Sequence, residues 1–416
     1  MKILFLTENF PPEVNAIASR VYERAVHWVR SGHEVTVITS FPNFPQGRIY
    51  PGYRQRLIQR ETIAGINVVR VPTFVARNEG IFLRTFDFVT FMISACCAAP
   101  FVPRHDVVVA TSPQFFCAIA GWIISVFKRR PFIFELGDLW PASIVAVGAM
   151  KGGSMLRMIE RLELFLYRRS AAVVALTSAF KDNLVSRKID AGKIAVVING
   201  VDLERFVPRA RDEQTAARAG VRNHFVVGYV GTHGMAHDLA NAVRAAALLR
   251  DRLPEFRLLF VGDGATKPAL QRLATELHAS NVIFVEPQPK NEMPCWWSIC
   301  DVALIHLKDD PVFAEVIPSK IFESMAMGLP LLLCGPRGEA SRIIEDTGSG
   351  VCVAPAQPAL LADAIEALSR DRARRAALAA RSIAAAPTFS RRRQAEDFLA
   401  VINRVTGRAG DRFELT

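Results

Sequence analysis

Short apolar runs rich in β-branched residues alternate with helix-length amphipathic segments along almost the whole chain of 416 residues. This alternation is typical of parallel sheets covered by helices, because each crossover between parallel strands needs a long connecting element. The pattern therefore predicts an α/β protein with doubly wound parallel sheets, before any single motif is considered.

Thirteen apolar runs have the length and composition of buried strands. A helical pattern begins at about Ile17, and Gly32 can end that helix in a left-handed conformation. We predict two Rossmann-like domains that face a cleft and are joined near residues 203–222. The predicted strands of the first are KILFLT, EVTVIT, INVVRVP, DVVVATS, PFIFEL, AAVVALT and KIAVVING, and those of the second are HFVVGYVG, FRLLFVGDG, NVIFVE, DVALIHL, LPLLLCG and GVCVAP.

The composition is that of an ordinary globular protein, with 50% hydrophobic and 22% charged residues, and the length suits about two domains. The seven cysteines form no C-x2-C pair and no disulfide-like spacing, and the segment MKILFLTENF lacks the pattern of a secretory signal. We expect a reducing, cytoplasmic environment in which the thiols are buried apolar side chains.

The formal net charge of +11 is unevenly distributed. Residues 1–205 and the tail from Arg370 are net positive, whereas the segment between them is net negative. Nucleic acid, an anionic membrane surface or a phosphorylated acceptor would each complement such a basic half, and a solvated basic face without a partner is the alternative.

The segment VFAEVIPSKIFESMAMGLP, residues 312–330, follows the predicted strand DVALIHL. Pro318 suits the first turn of a helix because that turn needs no N–H from it, and Gly328 and Pro330 end the helix. Backbone groups from Ile317 to Lys320 would then lie outside the carboxyl end of a parallel strand, where ligands of such sheets bind.

The free N–H groups at Ile317, Ser319 and Lys320, beside Pro318, favour an anion such as a diphosphate, and the lysine adds charge. Glu323, one turn further on, can accept hydrogen bonds from the vicinal hydroxyls of a ribose. Glu315, before the turn, would reach the group on the other side of the diphosphate. From spacing alone, two solvated glutamates flanking a helix remain the simpler alternative.

Two glycine-rich turns at neighbouring strand ends strengthen the nucleotide interpretation. The turn Gly231–Thr232–His233–Gly234 follows FVVGYV, and the turn Gly262–Asp263–Gly264 follows RLLFV. Glycine lets a backbone approach phosphate closely, although it also serves simple chain closure at such turns. These two turns and the helix start at Pro318 would lie at one edge of a sheet. Together they predict a nucleotide-sized pocket.

Several motifs together resemble the retaining glycosyltransferases of family 4, which have the GT-B fold. They are two glutamates separated by seven residues and followed by MAMGLP, with VVINGVDLERFVP, GYVGTHG and FVGDG. The N-terminal motifs LTENFPPE, SGHEVTVITSFPNFPQG and ELGDLWPASI resemble in particular the L-fucosamine-transferase-like branch, which builds O-antigen, capsule and other exported polysaccharides. The resemblance covers nearly the whole chain.

The resemblance implies an acceptor-binding domain at 1–205 and a nucleotide-sugar-binding domain at 206–387. The arginine-rich tail predicts two helices divided near Pro387, and the resemblance implies that the last, at about 388–408, packs back on the first domain. Glu323 would bind the ribose and Glu315 the donor sugar. Lys320, His233 and the amides after Gly231 would neutralise the diphosphate, and Pro287 would frame the base.

Many family members have a histidine immediately before the aspartate of the motif written here as GDLWP. This chain has Gly137 at that position, followed by Asp138. We therefore assign Asp138, with Glu135 as a second candidate, to acceptor-side polar contacts, while an N-cap and packing corner is the alternative for this motif. Glu315, Asp138 and Lys320 are the predicted catalytic residues.

The chemistry implied by the resemblance requires no metal and no cofactor, since the nucleotide sugar is the donor substrate. Negative charge develops on the leaving phosphate, and fixed N–H groups with Lys320 can stabilise it. The sequence contains no Asp-x-Asp pair and no H-E-x-x-H motif.

The apolar segment 86–103 has three possible roles, namely a buried Rossmann helix, a membrane-spanning helix, or a helix that exposes Phe82 and Phe86 to a membrane surface. With Asp87 near its start and prolines at its end, a spanning helix is the least expected. The last role would place the protein in the cytoplasm, peripherally on the anionic inner face of the cytoplasmic membrane. The expected acceptor is then a polyprenyl-diphosphate-linked glycan, with no role for nucleic acid.

These observations predict a glycosyltransferase that moves a sugar, with retention, from a nucleotide sugar to a lipid-linked glycan during surface polysaccharide synthesis. A UDP-linked N-acetylated hexosamine such as N-acetyl-L-fucosamine is the expected donor, although UDP-N-acetylglucosamine and GDP-sugars stay open. A sugar-nucleotide 2-epimerase-like isomerase of the same fold and a non-catalytic assembly partner are the alternatives.

Overall fold

The computed structural model describes residues 1–44, 46–75, 81–112, 114–139 and 153–408. The chain divides into two compact units. Unit 1 contains Met1–Asn199 and the segment from Arg391, and unit 2 contains Gly200–Ser390. The sequence-based boundary was placed after residue 205, a few residues further along the same connection.

Unit 1 is built on an eight-stranded sheet with the order β3-β4-β2-β1-β5-β6-β7-β8. All neighbouring strands are parallel except β3 and β4. The strands are β1 (Lys2–Leu6), β2 (Glu34–Ser40), β3 (Gln59–Ile63), β4 (Ile66–Val71), β5 (Val107–Thr111), β6 (Phe132–Leu136), β7 (Ala172–Ala175) and β8 (Ile194–Val196). All seven strands predicted for this half are confirmed.

Strand β3 was not predicted. Its sequence QRETI is polar, and it pairs antiparallel with β4 at the edge of the sheet. An edge strand has one face against solvent and only one neighbour, so it needs no continuous apolar run. The apolar-run criterion therefore finds the central strands and misses this one.

The described helices of unit 1 lie between these strands, and the chain's last helix joins them. They are α1 (Ala16–Arg30), α2 (Ile81–Ala98), α3 (Phe115–Lys128), α4 (Ser154–Arg169), α5 (Ser178–Ser186) and α15 (Arg391–Thr406). The side chain of Asn15 caps α1 by accepting a hydrogen bond from Ala18 N at 2.8 Å, and Gly32 follows the helix with φ +81°. The last helix packs on α1, where Trp28 Nε1 donates to the carbonyl oxygen of Ala395 at 2.9 Å.

The apolar segment that had three possible roles forms α2 and the short turn after it. Phe91 and Ala95 are buried, whereas Leu83, Phe86 and Ile93 are about half exposed. The helix is thus buried along one side only, against β4 and α3. Within the described ranges, no helix is both long enough and apolar enough to cross a membrane.

Unit 2 has a six-stranded parallel sheet with the order β11-β10-β9-β12-β13-β14. The strands are β9 (Phe225–Val230), β10 (Phe256–Val261), β11 (Val282–Val285), β12 (Val302–His306), β13 (Leu331–Cys334) and β14 (Gly350–Val353). All six predicted strands of this half are confirmed. The strand order reverses between β9 and β12, and ligands of doubly wound sheets bind beside such a switch point.

The helices of unit 2 cover both faces of this sheet and build its core. They are α6 (Glu213–Arg218), α7 (Leu239–Leu249), α8 (Lys267–Glu276), α9 (Met293–Ser298), α10 (Pro311–Ala314), α11 (Lys320–Ala326), α12 (Glu339–Thr347), α13 (Pro358–Arg370) and α14 (Arg372–Ala385). The predicted division of the tail near Pro387 is confirmed, since a short turn at Ala386–Phe389 separates α14 from α15.

The predicted helix start lies two residues before the observed one. Helix α11 begins at Lys320, with Ser319 in the N-cap position. The carbonyl oxygen of Pro318 accepts a hydrogen bond from Ile321 N at 3.1 Å, so Pro318 lies in the turn that opens the helix. The predicted helix end is confirmed, because Gly328 follows α11 with φ +73°.

Candidate active site

The two glycine turns predicted from the sequence interlock at the carboxyl ends of β9 and β10. The amide of His233 donates to the carbonyl oxygen of Asp263 at 2.8 Å. Thr266 Oγ1 returns a hydrogen bond to the carbonyl oxygen of His233 at 2.8 Å. The two turns therefore form one rigid backbone surface at this edge of the sheet.

Glycine is required at two positions of this surface. Gly262 has φ +138°, and a Cβ there would clash with the carbonyl oxygen of Gly231. Gly264 has φ +157°, and its Cβ would clash with the carbonyl oxygen of His233. These residues thus serve the close approach of two backbones to each other, in addition to any approach to a ligand.

Lys320, the first residue of α11, lies beside the two glycine turns. Its side chain is only 8% exposed, and Nζ lies 3.5 Å from the centroid of the Tyr229 ring. A Cβ built at Gly231 would be 3.5 Å from that nitrogen. The Lys320 side chain therefore lies next to the space that a side chain at position 231 would occupy, which places the start of α11 beside the first glycine turn.

The buried ammonium group of Lys320 is easily deprotonated. Burial lowers the pKa of Lys320 to about 7, although the carboxylate of Glu323 opposes the shift. An anion placed beside Nζ would favour the charged form and raise the pKa again. Glu323 itself lies in the first turn of α11 and is half-buried.

His233 is fully buried between the rings of Tyr229 and Phe260, with ring centroids 5.9 and 5.5 Å away. Its pKa is lowered to about 4 by burial, assisted by the charges of Lys267 and Lys320. The imidazole is therefore mainly neutral at pH 7 in the ligand-free protein, and its role at a diphosphate stays a prediction. Its backbone holds the two turns together.

A buried polar cluster beside this edge was missed by the sequence reasoning. His237 Nδ1 lies 3.2 Å from the carbonyl oxygen of His306, and Asn241 Nδ2 lies 3.0 Å from His306 Nε2. Burial, with the nearby charge of Lys320, lowers the pKa of His237 to about 3 and that of His306 to about 4. The one sequence feature that could have indicated this cluster is His306 at the end of β12. A single histidine at a strand end, however, forms no recognisable motif.

Glu315 lies at the C-terminal end of α10, immediately before the loop that leads to α11. Asp310 caps α10 by accepting a hydrogen bond from Val312 N at 3.0 Å. The backbone at Gly338 approaches Ala314 so closely that a Cβ at 338 would clash with its carbonyl oxygen. Glu315 is thus held by packed backbone on its N-terminal side, and it is half-buried together with Ile317, Pro318 and Ser319.

The remaining predicted donor-side residues lie on the surface of this edge. Thr232, Asp263 and Pro287 are exposed, and Gly234 is half-buried. Lys267, which sequence reasoning missed, connects the ends of β10 and β11. Its Nζ donates to the carbonyl oxygen of Gly262 at 3.1 Å and to Glu286 at 2.8 Å.

Glu135, the second acceptor-side candidate, is fully buried in unit 1 and paired with arginine. Its carboxylate accepts two hydrogen bonds from Arg24, at 2.7 and 2.9 Å. Burial opposes its ionisation, but Arg24 and Arg20 outweigh this effect and lower its pKa to about 2. The carboxylate is thus ionised at neutral pH, and Arg24 binds both of its oxygens.

Asp138 follows β6 and is half-buried, and Gly137 N donates to Ser112 Oγ at 2.9 Å. Glu13 connects the loop after β1 to the loop after β2. Its carboxylate accepts hydrogen bonds from Asn43 N at 2.7 Å and Phe44 N at 2.8 Å.

Among the residues that the structure describes, no group of three or more His, Cys, Asp or Glu side chains has an arrangement that could hold a metal ion.

The two halves of the chain match two family models. Residues 17–205 match Glycosyltransferase Family 4, and residues 211–384 match Glycosyl transferases group 1. The chain is a family 4 glycosyltransferase. The fold of each unit agrees with the GT-B architecture that the resemblance implied.

Known proteins resemble this glycosyltransferase over most of its length. It is 25% identical over 370 residues to a protein named for colanic acid biosynthesis, the glycosyl transferase WcaI of Escherichia coli, covering 85% of this chain and 89% of that protein. It is 24% identical to a GDP-mannose-dependent alpha-mannosyltransferase of Mycobacterium tuberculosis, covering 92% of each. The crystal structure of Anabaena Alr3699/HepE with UDP and glucose has the same fold, with a TM-score of 0.74, 18% identity, and coverage of 97% of this chain and 100% of that one.

Proposed function

We propose that unit 2 binds a nucleotide-sugar donor at the edge formed by the interlocked glycine turns and the start of α11. The observation that carries this proposal is the buried lysine, Lys320, which lies beside Gly231 and one turn from Glu323. A cation, a close-approach glycine backbone and a carboxylate match the diphosphate and the ribose of a nucleotide.

Each residue has a distinct part in this proposal. The backbone of residues 231–234 and 317–320 and the ammonium group of Lys320 bind the diphosphate. Glu323 accepts hydrogen bonds from the ribose hydroxyls, Glu315 contacts hydroxyls of the donor sugar, and Pro287 borders the base. Asp138 in unit 1 contacts the acceptor.

In the proposed reaction the bond between the sugar and the nucleoside diphosphate breaks, and the acceptor oxygen bonds to the sugar carbon. The negative charge that develops on the leaving phosphate is stabilised by Lys320, which binds a proton more strongly as this charge grows. The leaving phosphate takes the proton of the acceptor hydroxyl, so the sugar is transferred on one face with retention and without a metal.

We further propose that this transfer extends a polyprenyl-diphosphate-linked glycan in surface polysaccharide synthesis, with a UDP-linked N-acetylated hexosamine as donor. The name of the WcaI relative supports the polysaccharide role, and the UDP complex of Alr3699/HepE supports the base. The mannosyltransferase relative is named for GDP-mannose, so the panel of donors tested must include GDP-sugars.

Peripheral attachment to the inner face of the cytoplasmic membrane would bring the protein to such an acceptor. Supporting this, the end of α3 and the turn after α2 form an exposed apolar and basic surface in unit 1. Phe101 and Phe127 are 62% and 64% exposed, and Lys128 Nζ bridges the two segments by donating to the carbonyl oxygen of Val102 at 2.7 Å. Anionic lipid headgroups would complement the neighbouring cations, and the two rings would enter the interface. The basic side chains beside them are Arg60, Arg104, Lys128, Arg129 and Arg130.

The test is turnover of a panel of UDP-, GDP- and dTDP-sugars with bacterial membrane extract as acceptor. We expect transfer to the lipid fraction from one donor class, abolished in Glu323→Ala and retained in Glu276→Ala, a matched control on the exposed side of α8. Conversion of a nucleotide sugar without acceptor would identify an isomerase instead. Failure to bind any nucleotide would contradict the assignment of the site.

A further inference from the structure

The buried ion cluster of unit 1 contains more positive than negative charge. The carboxylate of Glu135 lies 2.7 Å from Arg24 and 3.4 Å from Nε of Arg20. The three side chains are between 0% and 7% exposed. One carboxylate neutralises only one guanidinium, and Arg24 occupies both of its oxygens. Arg20 therefore has a surplus charge that is largely shielded from water.

Arg20 also has unused hydrogen-bonding capacity. A guanidinium has five N–H donors. Within the described residues, Arg20 makes one side-chain hydrogen bond, from Nη2 to Thr111 Oγ1 at 3.2 Å. Its Nε is buried without a hydrogen bond, although it lies 3.4 Å from the carboxylate of Glu135. A buried polar group without a hydrogen bond is costly, and a bound anion that accepts from the remaining N–H groups of the guanidinium would offset this cost.

The guanidinium lies where ligands of doubly wound sheets bind. Thr111 is the last residue of β5, and Gly137 comes directly after the neighbouring strand β6. Both therefore mark the carboxyl edge of the sheet in unit 1.

The glycine at position 137 makes room for this arginine. A Cβ built at Gly137 would be 2.9 Å from Nη2 of Arg20 and 2.5 Å from the carbonyl oxygen of Ser112. A side chain at position 137 would therefore collide with both the Ser112 backbone and the guanidinium. The absence of a Cβ at Gly137 and the placement of Arg20 are thus two parts of one arrangement.

We propose that Arg20 binds an oxyanion of the acceptor, a phosphate or a carboxylate, at the carboxyl ends of β5 and β6. The proposal rests on the proposed transferase function and adds a subsite to its acceptor side. A planar fork with free donors and surplus positive charge suits two oxygens of an anion better than a neutral hydroxyl. The oxyanion belongs either to the diphosphate of a lipid carrier or to an acidic sugar.

The first experiment separates acceptor binding from donor binding. In Arg20→Gln we expect the KM for the membrane acceptor to rise at least tenfold, while nucleotide binding and slow donor hydrolysis without acceptor are unchanged. Arg20→Lys should retain part of the acceptor affinity because it keeps the charge. Arg30→Gln, the same change at an exposed position of α1, is the matched control and should leave the acceptor KM unchanged.

A second variant, Gly137→Ala, perturbs the subsite but keeps the charge of Arg20. It should displace the guanidinium and raise the acceptor KM as Arg20→Gln does. Inorganic phosphate should compete with the acceptor in the wild type and fail to do so in Arg20→Gln. Circular dichroism of each variant establishes that unit 1 is folded.

The source of the oxyanion is decided by chemical reduction of the carboxyl groups of the acceptor. If this treatment raises the wild-type KM to the level of Arg20→Gln, the oxyanion is a sugar carboxylate, and if the KM is unchanged it is the carrier diphosphate. An unchanged acceptor KM in folded Arg20→Gln, or an equal loss of donor hydrolysis, would overturn the subsite.

Failure of the transferase proposal can be distinguished from failure of the subsite. If the protein is not a transferase of this kind, the wild type would bind no nucleotide sugar. Titration of wild type and Arg20→Gln with inorganic phosphate still tests the subsite in that case. Equal phosphate affinity of the two proteins would refute it.

Discussion

The ammonium nitrogen of Lys320 lies 3.5 Å from the centroid of the Tyr229 ring, in a site where the lysine side chain is almost wholly removed from water. An aromatic face can attract a cation, but it replaces only part of the lost hydration. The lysine is therefore poised between its charged and neutral forms near pH 7.

The lowered pKa of Lys320 predicts that the affinity for nucleoside diphosphates depends on pH. Because burial holds the pKa of Lys320 at about 7 and a bound diphosphate raises it, binding above pH 7 takes up a proton. Affinity should fall as pH rises from 7.5 to 9, approaching about tenfold per pH unit. Calorimetric titration with UDP in buffers of different ionisation enthalpy measures both the affinity and the proton uptake. A pH-independent affinity in the wild type would contradict the assignment, and Lys320→Arg should have a flat profile.

The same lysine should lower the stability of unit 2 at neutral pH. Below pH 7 it is charged in both the folded and the unfolded protein, so folding bears the full cost of burying the charge. Between pH 7 and the ordinary lysine pKa of 10.5, only the unfolded state keeps the proton, and stability rises with pH. Lys320→Met should therefore be more stable than the wild type at pH 6.5, with a difference that shrinks toward pH 10. Urea unfolding at the two pH values gives the comparison.

Gly262→Ala should abolish donor binding, because its Cβ would force the two glycine turns apart at the carbonyl oxygen of Gly231. Gly220→Ala is the matched control in the same unit, since Gly220 also has positive φ (+69°) but has no atom within 4 Å of its Cβ position. The control should cost only backbone strain, on the order of 1 kcal/mol, and keep its affinity for UDP. Equal nucleotide affinity in both variants would mean that the interlocked turns do not form the site.

Glu135→Gln should destabilise unit 1 by about 3–5 kcal/mol, because it leaves two buried guanidinium groups without a counter-charge. The pKa of Glu135 in the folded protein, about 2, lies below the ordinary glutamate pKa of 4.5, so the stabilisation by this carboxylate is complete above pH 4.5 and is lost as pH falls through 2. The gap between wild type and variant in urea unfolding should therefore narrow in acid. Nucleotide affinity should not change, because Glu135 lies in unit 1, and a variant as stable as the wild type would contradict the assignment of Glu135 as the buried counter-charge of the two arginines.

Replacing both Phe101 and Phe127 by serine should weaken binding to anionic lipid vesicles more than tenfold, since burial of one such ring contributes about 1.5–3 kcal/mol. Vesicle co-sedimentation at low and high salt measures the effect. The loss of binding at high salt measures the contribution of the basic side chains, because salt screens their attraction to anionic headgroups. Leu360→Ser, an exposed apolar position of α13 in unit 2, is the control and should bind as the wild type does. A wild type that fails to bind anionic vesicles at low salt would refute the membrane proposal.

The sequence predicted the central strands of both sheets because these strands are buried on both faces and must be apolar throughout. It also predicted which strand ends carry Gly231, Gly262 and Lys320, since parallel strands place their carboxyl ends at one edge. It could not predict β3, because the polar residues of that strand suit an edge position and form no apolar run.

The charge states of the site were beyond the reach of sequence patterns. Whether His233 is a cation depends on the rings and lysines that surround it, and these come from distant parts of the chain. Glu135 was attributed to the acceptor because it lies near a motif, whereas its partners are in α1, more than a hundred residues away. Spacing along the chain contains no information on such pairs.

The contact between Trp28 and Ala395 joins the first helix of the chain to the last. Unit 1 therefore lacks one of its core helices until residues 391–406 have been synthesised, whereas unit 2 is continuous in sequence. The protein cannot fold strictly from its N-terminus, because the surface of α1 around Trp28 stays uncovered while the whole of unit 2 emerges from the ribosome. A chain truncated before Arg391 would lack the helix that covers Trp28, so its unit 1 would be incomplete.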